Sequence, residues 1–350
     1  MVSSEEKAPA DQQPSNAALS SNSEQHNKSA SSDDQQDTFS GLSFKVGVAE
    51  NRNATYRAKM EDVHTYVANF AEKLDWGYFA IFDGHAGKST ARWCGNNLHT
   101  LIEQEILAKE AGANCGSGAS PASLCDVKDV FHNVFVKADE LIEEEGSGSA
   151  GSTAAVAILR WESNDQSSAS GKSESQKPSK KFDFVPGPQH KRMLYTANVG
   201  DSRIVIYRAG KAYRLTYDHK ASDSSEIDRV RNNGGLIVKN RVNGVLAITR
   251  SLGDSYIKNL VTGKPFTTST EVTPEDEFLI LACDGVWDVI SDNHACKYVS
   301  DIFKQQQQNN EPIDPAKAAK KLCQLAIDNA TTDNVTAMVV KFDPSVFTAE

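Results

Sequence analysis

The chain has 350 residues, enough for one large domain or two ordinary ones, with 37 Lys and Arg against 47 Asp and Glu and a formal net charge of -10. That acidity, with no basic amphipathic stripe, argues against nucleic acid and against a membrane surface as partners. No apolar stretch reaches the ~18 residues that span a bilayer, and no apolar segment opens the chain as a secretory signal would, so a cytoplasmic or nuclear protein is expected.

Residues 1–40 are rich in Ser, Gln, Asn, Asp and Ala and are expected to be a disordered tail, because they cannot bury enough surface to offset ordering entropy. Phe44, Val46 and Val48 alternate as in a strand, as do His64, Tyr66 and Ala68, and 77–82 is a continuous apolar strand. A helix is predicted over 88–108, with Ala91, Cys94, Leu98, Leu101 and Ile102 at helical spacing. A second starts near Cys125, with Val127, Val130, Phe131, Val134, Ala138 and Leu141 on one stripe. Strands follow at 154–161, 194–199, 204–208 and 212–215, with tight turns at Gly200-Asp201 and Ala209-Gly210. A polar insertion at about 162–192 separates the first two. Its basic run 177–181 reads either as a nuclear signal or as lysines of a solvated loop.

A short helix is predicted from the capping-box-like Asp223-Ser224-Ser225-Glu226 to Asn233-Gly234-Gly235. Strands at 236–238 and 245–248 then precede a Thr-, Gly- and Pro-rich loop at about 254–274. After a buried strand at 278–283 come helices near 292–305, with a polar extension over 305–310, and at 315–329, the latter announced by Asp314 and Pro315. The chain closes on an apolar strand at 334–342. Helix pairs separated by strand runs argue for α+β, with antiparallel sheets and helices on their outer faces, in one domain spanning 41–345.

The strands at 77–82 and 278–283 each end abruptly in Asp-Gly, at Asp83-Gly84 and Asp284-Gly285. Asp-Gly is a favoured turn. A carboxylate at the mouth of a hydrophobic strand is nevertheless costly without a cation or a hydrogen-bond network. His85 lies two residues beyond Asp83, and Asp288 one helical turn beyond Asp284. The carboxylates collected at element ends are Asp62, Asp83, Asp201, Asp284, Asp288 and Asp333, with Glu61 beside Asp62. An all-oxygen set selects hard cations, Mg²⁺ or Mn²⁺ rather than Zn²⁺. Two such ions sharing a carboxylate hold and acidify a water for in-line attack on phosphorus. Arg57 suits the grip on phosphoryl oxygens and His85 suits proton donation to the departing alkoxide; a surface salt bridge and a structural hydrogen bond are their bland alternatives. The six cysteines start no Cys-x5-Arg arrangement and show no C-x-x-C spacing, so they read as reduced structural thiols and a thiol-based phosphatase is excluded.

Arg57-Ala58-Lys59-Met60-Glu61-Asp62, Asp83-Gly84-His85-Ala86-Gly87, Gly151-Ser152-Thr153-Ala154, Asn198-Val199-Gly200-Asp201-Ser202-Arg203, Ala282-Cys283-Asp284-Gly285-Val286-Trp287-Asp288 and Asp333-Asn334 resemble, in order, the motif series of the metal-dependent PPM (type 2C) protein serine/threonine phosphatases. Asp218-His219-Lys220, and Asn243-Gly244-Val245-Leu246-Ala247 with Arg250 and Gly253-Asp254, match as well. The resemblance covers about 42–343. It implies a four-layer α-β-β-α sandwich of two antiparallel sheets flanked by helix pairs, with a binuclear Mg²⁺ or Mn²⁺ site at one end. By the same resemblance Asp83 bridges both ions, the Gly84 carbonyl binds one, and Asp284 and Asp333 bind the other. Glu61 and Asp62 act through water, and Asp201 with Asp284 and Asp288 forms a weaker third site. Arg57 holds the phosphate and His85 is the general acid. The implied reaction is hydrolysis of phosphoserine and phosphothreonine by direct attack of a metal-bridging water. The implied partners are phosphorylated proteins, among them stress-activated kinases of MAP kinase cascades, met by a monomer.

Ala221 stands where the family often has Pro, and the flap loop at about 254–273 matches no pattern that predicts substrate preference. Two alternatives are a pseudophosphatase binding module, which predicts damaged ligands, and a metal-dependent phosphohydrolase of small molecules, which has no Walker-type loop here to support it.

Overall fold

Ten principal strands alternate with helices in the order β1 (Phe44–Asn51), β2 (Val63–Ala68), β3 (Gly77–Phe82), α1 (Ser89–Ala113), α2 (Val127–Glu144), β4 (Ala154–Ser163), β5 (His190–Val199), β6 (Arg203–Arg208), β7 (Lys211–Arg214), α3 (Ser224–Asn232), β8 (Phe266–Val272), β9 (Asp276–Ala282), α4 (Asp284–Trp287), α5 (Asp292–Gln308), α6 (Pro315–Asp328) and β10 (Val335–Phe342). The structure is a computed structural model and describes residues 39–113, 126–146, 148–163 and 181–349. Nearly all of the expected tail, most of the polar insertion, the basic run up to 180, Cys115 and Cys125 lie outside the described residues. The cysteines that are described, Cys94, Cys283, Cys296 and Cys323, are free and buried.

Two five-stranded antiparallel sheets carry the fold, in the orders β1-β10-β9-β6-β7 and β8-β5-β4-β3-β2. Period-two alternation sorts each central strand between two cores. In β3, Tyr78, Ala80 and Phe82 pack with Ala91, Leu98, Phe131 and Phe135 of α1 and α2. Phe79 and Ile81 face the other way, onto Leu279 and Leu281 of β9 and Met338 and Val340 of β10. In β9 the opposite set, Phe278, Ile280 and Ala282, meets Val299 of α5 and Leu322 of α6. Both faces of both central strands are therefore apolar, which is why they read as continuous runs. The result is the four-layer α-β-β-α sandwich that the sequence implies. Each fully buried large side chain contributes roughly 1.5–3 kcal/mol.

Helix starts follow their caps. The Asp126 carboxylate accepts from Lys128 N, Asp223 from Ser225 N and Glu226 N, and Asp314 from Ala316 N and Lys317 N ahead of Pro315. Close approach of α6 to β1 needs Gly47, where an added Cβ would lie 1.9 Å from Ala316 N.

Two expectations are corrected. Residues 245–248 form no strand. A two-residue hairpin pairs Ile237–Val238 with Arg241–Val242, and the chain then turns through Asn243 and Gly244, both in the left-handed region. The Asn243 carboxamide accepts from Leu236 N, so the apolar alternation there belongs to a turn capping a small cluster around Val230, Val242 and Leu260. The expected loop at 254–274 contains the edge strand β8. Its β-branched threonines gain a register only from β5, with Thr196 and Thr268 hydroxyls 2.6 Å apart.

Candidate metal centre

Register brings the candidate carboxylates to one end of the sandwich. Val63 at the start of β2 faces Phe82 at the end of β3, and Ala282 at the end of β9 faces both Ala337 of β10 and Arg203 of β6. Asp62, Asp83, Asp201, Asp284 and Asp333 are the residues just outside those ends. The backbone around them is tightly bonded. Thr153 N donates to the Asp83 carbonyl at 2.9 Å, and the Thr153 hydroxyl takes the Asp83 N–H at 3.2 Å while lying 2.7 Å from Ser202 Oγ. Asn334 donates to the Arg52 and Lys59 carbonyls and accepts from Glu61 N at 2.9 Å, stapling the segment before β2 onto the start of β10. Gly84 and Gly285 are needed for these approaches: a Cβ would fall 2.7 Å from the Glu61 carbonyl and 1.9 Å from the Asn334 carbonyl.

The carboxylates feel one another's charge. Asp62 is 1% exposed, and burial, aided by the Asp333 charge, raises its pKa to about 6 despite a 2.6 Å hydrogen bond from Thr336 Oγ1 to its Oδ2. Burial pushes Asp83 well above the carboxylate range, with Asp284, Asp62, Asp201 and Asp333 adding to the rise in that order. Asp284 is raised in the same way by burial, then by Asp201, Asp333 and Asp288. Asp62 Oδ1 and Asp284 Oδ1 are buried with no hydrogen-bond partner. Two unsatisfied carboxylate oxygens in a cluster that repels itself suit a hard cation. Ligand atoms of Asp62, Asp83 and Cys283 also lie within 4.8 Å of one another. Burial pushes the Cys283 thiol well up, and its sulfur is engaged by Thr336 N at 3.2 Å and by the Asn334 carbonyl at 3.5 Å.

The remaining candidates are placed differently. Asp201 and Asp288, expected with Asp284 as a weaker third site, share the Lys220 ammonium at 3.3 and 2.7 Å. Burial alone would lower Lys220, but Asp201 and Asp288 outweigh it and raise its pKa. An internal cation thus stands between two carboxylates of that site. Arg57 is exposed and pairs with Asp333, its Nε also donating to the Thr332 carbonyl at 3.2 Å. His85 Nε2 lies 2.7 Å from Asp254 Oδ2. Glu61 is held through its backbone. The motif residues to which sequence reasoning attached no role are Lys220, Asp254 and Asn334. Asp254 repeats the Gly-Asp signature of Gly200-Asp201 and could have been flagged by it; the Lys220 and Asn334 contacts have no local signal.

The chain is similar to several known proteins. The family model described as "Protein phosphatase 2C" matches residues 46–335. "Protein phosphatase 2C homolog 1" of Saccharomyces cerevisiae is 53% identical over 85% of this chain and 94% of its own length. Its namesake in Schizosaccharomyces pombe is 38% identical over 84% and 72%. The chain also shares its fold with the "serine-threonine phosphatase 2C from Toxoplasma gondii", at TM-score 0.60, 22% identity, and coverage of 85% of this chain and 95% of that one.

Proposed function

The chain belongs to the protein phosphatase 2C family, and on that footing we propose that it hydrolyses phosphoserine and phosphothreonine in proteins with two Mg²⁺ or Mn²⁺ ions held by Asp83, the Gly84 carbonyl, Asp284 and Asp333. The observation that carries this reading is the self-repelling carboxylate cluster with its two unpartnered buried oxygens, Asp62 Oδ1 and Asp284 Oδ1. When bound, the ions supply Lewis acidity that makes water a nucleophile at neutral pH. The side chains supply the rest. Asp62 orients water through the oxygen that Thr336 leaves free. Arg57 exchanges Asp333 for the phosphoryl oxygens, which its planar fork matches in two places. His85 gives its proton to the departing seryl or threonyl oxygen as the P–O bond breaks, so no alkoxide is released.

Asp201, with Asp284 and Asp288, forms a further, weaker cation position that Lys220 guards. We further propose a role in intracellular stress or MAP kinase signalling, in cytoplasm or nucleus. The test of the activity is phosphate release from a phosphothreonine peptide with Mn²⁺, with chelator, and with Asp284→Asn. Release that ignores the chelator overturns the metal reading. Turnover of nucleotides but not of the peptide overturns the substrate class. Raised phosphorylation of stress-activated kinases in cells lacking the protein tests the context.

A further inference from the structure

Asp254 is a fully buried carboxylate with an unusual set of partners. Its side chain has 0% exposure, yet among the described residues it pairs with no lysine or arginine: Oδ2 meets His85 Nε2 at 2.7 Å and accepts from the Ser251 hydroxyl, and Oδ1 has no hydrogen-bond partner there. Asp139 and Asp276, buried acids outside the metal centre, are satisfied in the ordinary structural way. Asp139 takes Lys258 at 2.7 Å and Gly253 N at 2.9 Å, and Asp276 takes Arg208 and Thr273 N. A carboxylate buried for stability alone would leave an uncompensated charge here.

The backbone is arranged to make this contact. A small three-stranded sheet pairs Gly84–His85 with Gly151–Ser152 and that with Leu252–Gly253, which sets His85, Gly151 and Gly253 in one lateral row. Asp254 then takes a left-handed conformation, φ 50°, that a residue with a side chain rarely adopts. Hydrogen bonds from Asp254 N to Ala150 O and from Gly253 N to Asp139 enforce it. The pair occupies the space above Gly151: a Cβ there would lie 2.1 Å from Asp254 Oδ2 and 2.4 Å from His85 Nε2.

We propose that Asp254 is a positioning residue that holds the His85 imidazole in one tautomer and one orientation for proton delivery; this rests on His85 being the proton donor in the preceding reading. A carboxylate only accepts hydrogen bonds, so Nε2 carries a hydrogen and stays with Asp254 throughout. Nδ1 is then the nitrogen that transfers. Its proton passes to the substrate oxygen as that oxygen takes the P–O bonding pair, the new O–P bond coming from water. The imidazole is left neutral, as the Nε2–H tautomer, and regains its proton from solvent. The logic is that of the carboxylate behind the histidine of a serine-protease triad, with the histidine acting as acid.

The experiment compares Asp254→Asn and Gly151→Ala with His85→Ala on two substrates in saturating Mn²⁺. One is a phosphothreonine peptide, whose leaving group needs a proton. The other is p-nitrophenyl phosphate, whose leaving group does not. Both positioning variants should lose about 10- to 100-fold in kcat on the peptide, keep KM within about twofold, and lose far less on p-nitrophenyl phosphate. Asp254→Asn in the His85→Ala background should cost nothing more. Equal losses on both substrates, a raised KM with unchanged kcat, or additivity with His85→Ala overturns the proposal. If His85→Ala itself does not separate the substrates, the general-acid reading fails, which is a distinct result. Should the variants fail to fold, ¹⁵N-histidine spectra of the Mg²⁺-loaded wild type still decide: an Nδ1–H tautomer at His85 overturns the inference and an Nε2–H tautomer supports it.

Discussion

Replacing Asp62 by Asn should stabilise the chelated protein at neutral pH and leave it nearly unchanged in acid. The Asp62 pKa rises from 3.8 to about 6, chiefly through burial. Between those values the folded state holds a proton that the unfolded state has released, so stability falls as pH rises through the window, and the penalty is complete above about 6. A shift of that size corresponds to about 3 kcal/mol. Asn keeps an oxygen that can accept the Thr336 hydroxyl, so the comparison removes charge and little else. The wild-type curve alone is a poor readout, because burial lowers His219 to about 4 and its effect runs the opposite way over nearly the same pH range. The readout is therefore the difference between wild type and variant in urea melts from about pH 4 to about pH 7. In EDTA that difference should grow to about 3 kcal/mol in favour of the variant. Saturating Mn²⁺ should shrink it, since cations beside the cluster favour the ionised Asp62 carboxylate and remove the cost of its buried charge. A difference that stays flat with pH, or that ignores the added ion, refutes the reasoning.

Lys220→Met should leave Asp201 and Asp288 without their shared cation, lowering the melting temperature in EDTA and tightening a third Mn²⁺ by about tenfold in a calorimetric titration; unchanged ion binding would show that Lys220 guards nothing. For Glu226, burial raises the carboxyl, but hydrogen bonds from Arg250, Arg229 and Thr249 outweigh it and bring it to about 2. Its contribution, about 3 kcal/mol, is present above the unfolded value of 4.5 and lost as pH falls toward 2, so Glu226→Gln should flatten that acid limb in denaturant melts. Arg57→Ala removes an exposed ion pair, so thermal stability should hold while KM for a phosphopeptide rises about tenfold; a large drop in melting temperature would make Arg57 structural.

Elements whose two faces are both buried were the most legible in this chain. Continuous apolar runs at 77–82 and 278–283 are short and bounded by turn residues, as central strands between two layers are, and β3 and β9 are those strands. The helices announced by Asp223 and Asp314 were equally legible, because those carboxylates bond their own first turns. Where local pattern and tertiary pairing competed, the pattern misled. Val245, Leu246 and Ile248 alternate as a strand does, but Val245 and Leu246 belong to a turn set by Asn243 and Gly244 and Ile248 makes only an isolated bridge to Lys220; the threonines of β8 became a strand only because β5 offered an edge. At the site, the types and order of Asp62, Asp83, Asp201, Asp284 and Asp333 were readable as hard-cation ligands. Their present partners were not: Lys220 between Asp201 and Asp288, Arg57 on Asp333, and Asp254 behind His85.

Residue chemistry by itself determined which donors exist and which reaction class they suit, since oxygen ligands, a guanidinium and an imidazole keep their preferences wherever the chain places them. Only the tertiary structure decided who stands beside whom. His85 and Asp254 are joined by strand register, Asp62 and Thr336 by the meeting of two sheet ends, and burial at those meetings is what moves the Asp62 carboxyl to about 6. Distance and desolvation belong to the packed chain, and neither is encoded in any local stretch of it.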